Sequence, residues 1–378
     1  MKKIRVVQVV GRMDRAGQET FLMNILRQAD LDKYEIWFSV NTNYVGDYEE
    51  EIKKLGGHIF HNPYPAKVDK LPQYMKAFRN FLRMEGPFDV VHCHVYYFSA
   101  FLLKIAYEER IPIRVMHSHN TSDGYSNSFF RELYRKQTLK MIDKYSNEKV
   151  ACGVDAYEMF YGRKCPGDSK ILNNAVVLSD YDERLYNIDL LKKNLNIPNG
   201  KKIFISVARF LPVKNHVKII GIFEEFLNTV NRDALLYLLG DGPLIGEIKK
   251  MVVEKGLTHN VLFMGKRTNV NEFLMCSDIF LMPSLHEGLP VSLIEAQAAG
   301  VNCILSDTIT KGIDMGLGLV QWCSLDDANS IWAEKCEEKC SSLKKDYEIR
   351  KKMIELHGYS LSNTWKKLED IYDKKIHS

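Results

Sequence analysis

The run Ser284-Leu285-His286-Glu287-Gly288-Leu289-Pro290-Val291-Ser292-Leu293-Ile294-Glu295 sets two carboxylates around an expected helix start. Gly288 lets the backbone turn tightly, and Pro290 suits the first position of a helix. Backbone amides of residues 288–291 would then point at an anion, as the free N–H groups of a helix start do, with Pro290 alone lacking a donor. Glu287 lies before the helix and Glu295 more than one turn inside it. Two carboxylates so placed could grip hydroxyls at opposite ends of one elongated, phosphate-containing ligand. A capped helix with two solvated glutamates has the same spacing, so the context has to decide. Arg209 and Lys214 supply part of it, because two cations in one loop can neutralise a diphosphate. Such a pair also occurs as ordinary solvated structure. Gly11 to Gly17 follows another apolar run and could bring backbone close to phosphate, or be a simple turn. Two alternating pairs, His92-Cys93-His94 and His117-Ser118-His119, have the look of metal ligands, but no acidic or cysteine partner stands at ligand spacing.

The elements that must position these residues alternate. Short Val/Ile-rich runs (Ile4 to Val10, Glu35 to Val40, Phe88 to Val91, Ile113 to Met116, Lys149 to Cys152) are separated by amphipathic stretches such as Glu19 to Arg27, Tyr48 to Leu55 and Phe98 to Tyr107. Continuous apolar runs with helices between them predict buried parallel strands in a doubly wound sheet. The breakers Asn196-Ile197-Pro198-Asn199-Gly200 interrupt the pattern, which restarts with Lys202 to Ala208, Leu235 to Leu239, Val261 to Met264, Ile279 to Met282 and Cys303 to Ser306. The expected organisation is α/β: a Rossmann-like domain over residues 1–197, a second over 198–359, and a final helix over 360–378. Doubly wound domains bind ligands in the loops beyond the strands' carboxyl ends, which predicts two domains facing a shared cleft. The polar and glycine-rich punctuation falls in those loops.

Composition limits the function classes. A chain of 378 residues, 46% hydrophobic and 26% charged, is not disordered or fibrous. Its longest apolar stretches fall short of the ~20 residues a membrane-spanning helix needs, and the N-terminal run is too short for a signal peptide. A cytoplasmic protein is expected. Most of its eight cysteines are then small buried thiols rather than a disulfide framework, and Cys336 with Cys340 has no second pair or histidine at the spacing of a zinc site. A formal charge of +4 is too small to indicate nucleic-acid binding.

Taken in order, Ser206-Val207-Ala208-Arg209 through Lys214-Asn215, Leu239-Gly240-Asp241-Gly242-Pro243, Val261-Leu262-Phe263-Met264-Gly265 and Glu287 through Glu295 resemble the retaining family 4 glycosyltransferases of GT-B fold. Within that family the chain resembles bacterial enzymes of exopolysaccharide and capsule synthesis. The resemblance implies that Arg209 and Lys214 stabilise charge on the departing diphosphate and that Glu295 binds the nucleotide ribose. Glu287 would contact the donor sugar, the amides of Gly288, Leu289 and Val291 would lie near phosphate and sugar, and Gly265-Lys266 would pass beside the base. In the first domain the resemblance is looser. Two adjacent glycines are common in the family, whereas this chain has Arg15-Ala16-Gly17, so only Gly17 is carried over. One histidine after the strand Ile113 to Met116 would contact the donor sugar: His119, or else His117. His92 and His94 remain acceptor-side or structural residues, residues 120–130 would shape the acceptor side, and Asn173 to Val176 resembles the family's turn before the interdomain connection. The last helix would cross back to the first domain.

The reaction so implied is hexosyl transfer from a nucleotide diphosphosugar, a UDP-sugar, to a saccharide or lipid-linked saccharide at the inner face of the cell membrane. No Asp-x-Asp triplet falls in the loops after the strands, so no metal or other cofactor is expected. Lys76, Arg79 and Arg83 with Phe78, Phe81 and Leu82 could rest a basic, aromatic helix on anionic lipid, or could be a helix with a buried apolar face. Two competing functions remain: a nucleotide-sugar-binding protein without catalysis, and an NAD-dependent oxidoreductase. The second lacks its fingerprint, since neither Gly11 to Gly17 nor Gly240-Asp241-Gly242 is Gly-x-Gly-x-x-Gly.

Overall fold

Because each strand carries apolar side chains on both faces, it must be covered on both, and only helices on either side of a parallel sheet achieve that. A computed structural model of the chain, describing residues 2–15, 17–119, 128–230, 233–340 and 345–374, has two such sheets. The chain divides into one unit of Met1–Ala175 with Leu361–Ser378 and another of Val176–Ser360. The first sheet contains β1 (Ile4–Val10), β2 (Tyr34–Val40), β3 (His58–His61), β4 (Val90–Cys93), β5 (Ile113–Ser118) and β6 (Glu148–Ala151). Its order is β3-β2-β1-β4-β5-β6. The second contains β7 (Lys202–Val207), β8 (Ala234–Leu239), β9 (Val261–Gly265), β10 (Ile279–Met282), β11 (Asn302–Ser306) and β12 (Val320–Cys323), in the order β12-β11-β10-β7-β8-β9. Every pairing is parallel.

Alternate side chains of the second sheet feed two separate cores. Ile203, Ile205, Leu235 and Tyr237 pack on one face, Phe204, Leu236, Leu238 and Leu281 on the other. All six residues of β8 are buried, which accounts for its unbroken apolar run. Two strands escape the sequence reading, β3 and β12, and both are sheet edges whose residues are mostly half-exposed.

The division between units differs from the boundary expected at 197/198. It lies at Ala175/Val176, because Leu178, Tyr181 and Ile197 pack into the core built on Ile203, Ile205 and Phe273. Breakers at 196–200 mark a turn inside the second unit. The helix Leu361–Asp373 belongs to the first unit, where Trp365, Leu368, Ile371 and Tyr372 are buried. Trp365 meets Tyr34 edge-on at 5.2 Å, and Asp373 holds Lys33 at 2.8 Å.

The basic helix Leu71–Glu85 turns Tyr74, Phe78, Phe81 and Leu82 into the first unit's core. Arg79 pairs with Glu108, and Arg83 holds Glu109 at 2.8 Å. Its apolar face is thus unavailable to lipid, and the buried-face alternative is the correct one for this helix. Among the described residues no helix is long and apolar enough to cross a membrane.

Candidate functional site

In the second unit the strand order reverses between β7 and β10, and the loops beyond these strands carry the expected site residues. The loop after β7 is held by backbone contact with its neighbour after β8. Phe210 N donates to Asp241 O at 3.0 Å and Leu244 N to Phe210 O at 3.2 Å. Gly240, at φ +138°, permits this approach: a Cβ there would lie 2.0 Å from the Ala208 carbonyl oxygen. Asn215 takes the left-handed conformation at φ 52° and donates its side-chain amide to Pro283 O at 3.1 Å. Leu285 N donates to Val213 O at 2.8 Å, tying the loop after β10 to the loop after β7. Buried His216, missed by the sequence reading, stacks on Phe210 at 4.0 Å, and desolvation pushes its pKa down to about 4.

These ties bring Lys214 onto Glu287, with Nζ 2.6 and 2.7 Å from the two carboxylate oxygens. The Glu287 side chain is only 9% exposed, and the Lys214 ammonium is the partner that compensates its carboxylate there. Arg209 is exposed, and among the described residues no side chain pairs with its guanidinium. The site therefore offers one uncommitted cation beside a balanced ion pair. Beyond Glu287 the helix Val291–Ala298 begins, with Pro290 in the capping position, one residue earlier than expected. Space beside Gly288 is open, and Leu289 and Val291 pack partly into the core. Gly265 ends β9 at φ +66° and accepts a hydrogen bond from Gly240 N at 2.9 Å; Lys266 beside it is exposed.

Glu295 sits on that helix, partly buried, and desolvation pushes its carboxyl up to about 7 even though the Tyr181 hydroxyl donates to it. Tyr181 was not legible as a site residue, because its partner lies far along the chain. The sign of the pH effect follows. An unfolded glutamate ionises near 4.5 and the folded one near 7, so the folded state holds the proton more tightly. This contribution to stability is complete below about 4.5 and is lost as pH rises through about 7. Glu295→Gln removes the charge, so urea unfolding at pH 5 and pH 8 should show the variant gaining about 1–3 kcal/mol on the wild type at the higher pH. An unchanged difference between the two pH values would refute the assignment.

In the first unit the strand order reverses between β1 and β4. The loop after β1 ends at exposed Gly17, which starts the helix Gly17–Gln28 with open space around its Cα. Strands β4 and β5 are neighbours in register, and this closes the two histidine pairs into one cluster. His92 and His117 stack at 5.3 Å, His117 and His119 at 3.9 Å, and His94 Nδ1 lies 2.8 Å from His119 Nε2. His92, His94 and His117 are buried, and desolvation drives all four imidazoles down, His92 and His119 to about 3. Every one is neutral near pH 7.

One nitrogen each from His92, His94 and His117 lies within 4.8 Å of the others. As arranged they do not form a metal cradle. His94 bonds His119 through Nδ1 and Gln8 through Nε2, while the His92 and His117 rings lie within 17° of parallel, so their lone pairs do not converge. Gln8 and Tyr372 complete the cluster: Gln8 Nε2 lies 3.0 Å from the Tyr372 hydroxyl, which lies 2.8 Å from His92 Nδ1. The signal for Gln8 was present as the lone polar residue in Val6-Val7-Gln8-Val9-Val10. Residues 120–127 of the expected acceptor loop lie outside the described residues.

The family described as "Glycosyl transferases group 1" matches residues 187–314. Over 371 residues the chain is 34% identical to "Putative glycosyltransferase EpsF" of Bacillus subtilis (strain 168), spanning 98% of this chain and 96% of that protein. It is 23% identical over 379 residues to "Capsular polysaccharide biosynthesis glycosyltransferase CapH" of Staphylococcus aureus, spanning 98% and 99%. Its fold is similar to that of Anabaena Alr3699/HepE in complex with UDP and glucose, with a TM-score of 0.75 at 14% identity, covering 98% of this chain and 100% of that one.

Proposed function

Since the chain belongs to the group 1 glycosyl transferases, of GT-B fold, we propose that it transfers a sugar from a UDP-sugar to a saccharide hydroxyl with retention at the anomeric carbon. The observation that carries this reading is the uncommitted Arg209 beside the Lys214–Glu287 pair, next to a helix start at the β7/β10 reversal. Arg209 and Lys214 would hold the diphosphate. Glu295 would accept the ribose hydroxyls, and Glu287 the hydroxyls of the donor sugar. Backbone N–H groups of Gly288, Leu289 and Val291 would face phosphate and sugar, with Gly265 and Lys266 beside the base. In the first unit Gly17 would approach phosphate, His119 would bond a sugar hydroxyl, and His92, His94 and His117 would remain with the acceptor side or the scaffold.

In the step itself the bond between the anomeric carbon and the diphosphate oxygen breaks, and a bond from the acceptor oxygen forms on the same face. The acceptor proton passes to the departing diphosphate, so UDP leaves and the protein supplies position and charge stabilisation. No carboxylate nucleophile is assigned, and Glu287 is engaged by Lys214. In this reading Arg209, with Lys214 and the helix start beside it, would stabilise the diphosphate in place of a divalent metal, so turnover is expected to persist in excess chelator. Loss restored by manganese would overturn this.

Likeness to the capsular enzyme supports an acceptor on a growing cell-surface polysaccharide, and the names of two further relatives that act on diphosphoundecaprenol-linked sugars support a lipid-linked one. Thermal unfolding with UDP, GDP, ADP and NAD tests the donor class. UDP at 100 times its dissociation constant should add about 2.7 kcal/mol, and Glu295→Ala should abolish the gain. Selective stabilisation by NAD, or by no nucleotide, would overturn the reading. UDP binding without turnover of any UDP-sugar, over a screen of saccharide acceptors, would favour a binding protein.

A further inference from the structure

Two hydrogen bonds leave one amide buried in β1, and each is continued by a second. Gln8 Oε1 can only accept, so His94 Nε2, 2.9 Å away, carries a proton. His94 is neutral, which leaves its Nδ1 bare and able to accept from His119 Nε2–H at 2.8 Å. His119 is neutral as well, so its Nδ1 holds a lone pair, and that atom is buried without a hydrogen-bond partner among the described residues. On the other arm Gln8 Nε2 donates to the Tyr372 oxygen at 3.0 Å. Tyr372 turns its own proton to His92 Nδ1 at 2.8 Å, leaving His92 Nε2–H buried and unpartnered.

We infer that Gln8 is a positioning residue that fixes the tautomers of His119 and His92, so that the first presents a bare Nδ1 to a hydroxyl donor and the second an Nε2–H to a hydroxyl acceptor. A sugar hydroxyl is a complementary partner for the bare His119 Nδ1. Inorganic anions and carboxylates could satisfy only the His92 donor. Tyr372 brings the C-terminal helix into the same chain of bonds, so that helix helps to set the polarity of a site whose strands lie early in the sequence. The assignment of tautomers stands on the hydrogen bonds alone, whereas its consequence for turnover rests on the proposed sugar transfer.

Nitrogen-15 NMR of histidine-labelled full-length protein near pH 7.5 tests it, because bare and protonated ring nitrogens have distinct shifts. The wild type should show bare Nδ1 and protonated Nε2 at His92, His94 and His119. Gln8→Glu leaves only acceptors at that point. Tyr372 should then turn its proton to the carboxylate, and His92 should flip to Nδ1–H while His94 and His119 keep their tautomers. Gln8→Leu should release His94 and His119 into mixed tautomers, and Tyr372→Phe should alter His92 alone, which separates polarity from misfolding. A wild-type His119 with Nδ1–H, or a His119 signal unmoved by Gln8→Leu, overturns the inference. In the kinetic arm Gln8→Leu should lower kcat/KM about tenfold with UDP stabilisation unchanged. Altered tautomers with unaltered kinetics would remove His119 Nδ1 from sugar recognition, and a wild type without turnover would strike the proposed function instead.

Discussion

Arg209→Ala is expected to lower turnover by about 10²-fold or more while moving the unfolding midpoint little. In the proposed transfer charge would grow on the departing diphosphate, and its stabilisation would come first from cations not already neutralised in the empty protein. Lys214 shares its charge with Glu287 at 2.6 Å. Arg209 is exposed, and among the described residues no side chain pairs with it, so its charge is free to meet the diphosphate. Truncation leaves no buried group without a partner, and the stability change should stay within about 0.5 kcal/mol. Arg209→Lys keeps the charge but not the two-pronged geometry and should recover part of the rate. Lys214→Ala should behave differently, losing stability as well as rate, because Glu287 is left nearly buried without its cation. Steady-state kcat at saturating donor, with urea unfolding of the same variants, separates these outcomes. Wild-type kinetics in Arg209→Ala would remove the residue from the site.

Gly240→Ala is expected to destabilise the second unit by about 3 kcal/mol or more. Two penalties coincide: φ of +138° is strained for any residue with a side chain, and the added carbon falls 2.0 Å from the Ala208 carbonyl oxygen. That oxygen belongs to the backbone just past β7, so relief means displacing the segment that carries Arg209. The control is Gly246→Ala, within the helix Ile245–Glu254, where an added Cβ meets nothing within 4 Å. That change should stabilise by about 0.5–1 kcal/mol through helix propensity. Urea midpoints of both variants measure the contrast, and equal midpoints would show that the loop contact is not rigid.

Strands buried on both faces were legible because burial demands apolar residues at every position. The run Ile4 to Val10 matches β1 residue for residue. Edge strands β3 and β12 carry exposed His58 and half-exposed His61 and Gln321, and their alternation is too weak to read. The loops after β7 and β10 were legible because glycine, proline and charge mark them. Their closure was not, since the Lys214–Glu287 pair depends on two strands separated by two others in sequence becoming neighbours in space. The histidine pairs were visible, but the cluster depends on the register of β4 with β5. Tyr372 went unmarked within the expected final helix, because nothing local distinguishes a buried tyrosine with a hydroxyl partner from one without.

The first unit is made of two pieces of chain, residues 1–175 and 361–378, with the whole of the second unit encoded between them. During synthesis at about 5–20 residues per second, the intervening segment takes roughly 10–40 s to emerge. Through that interval the sheet of β1 to β6 exists without the helix that covers Tyr34 and supplies Tyr372. The second unit is continuous and can complete its core first. Order of manufacture and order of folding therefore run opposite for the two halves, and a nascent chain halted before residue 361 would hold a finished second unit behind an unfinished neighbour.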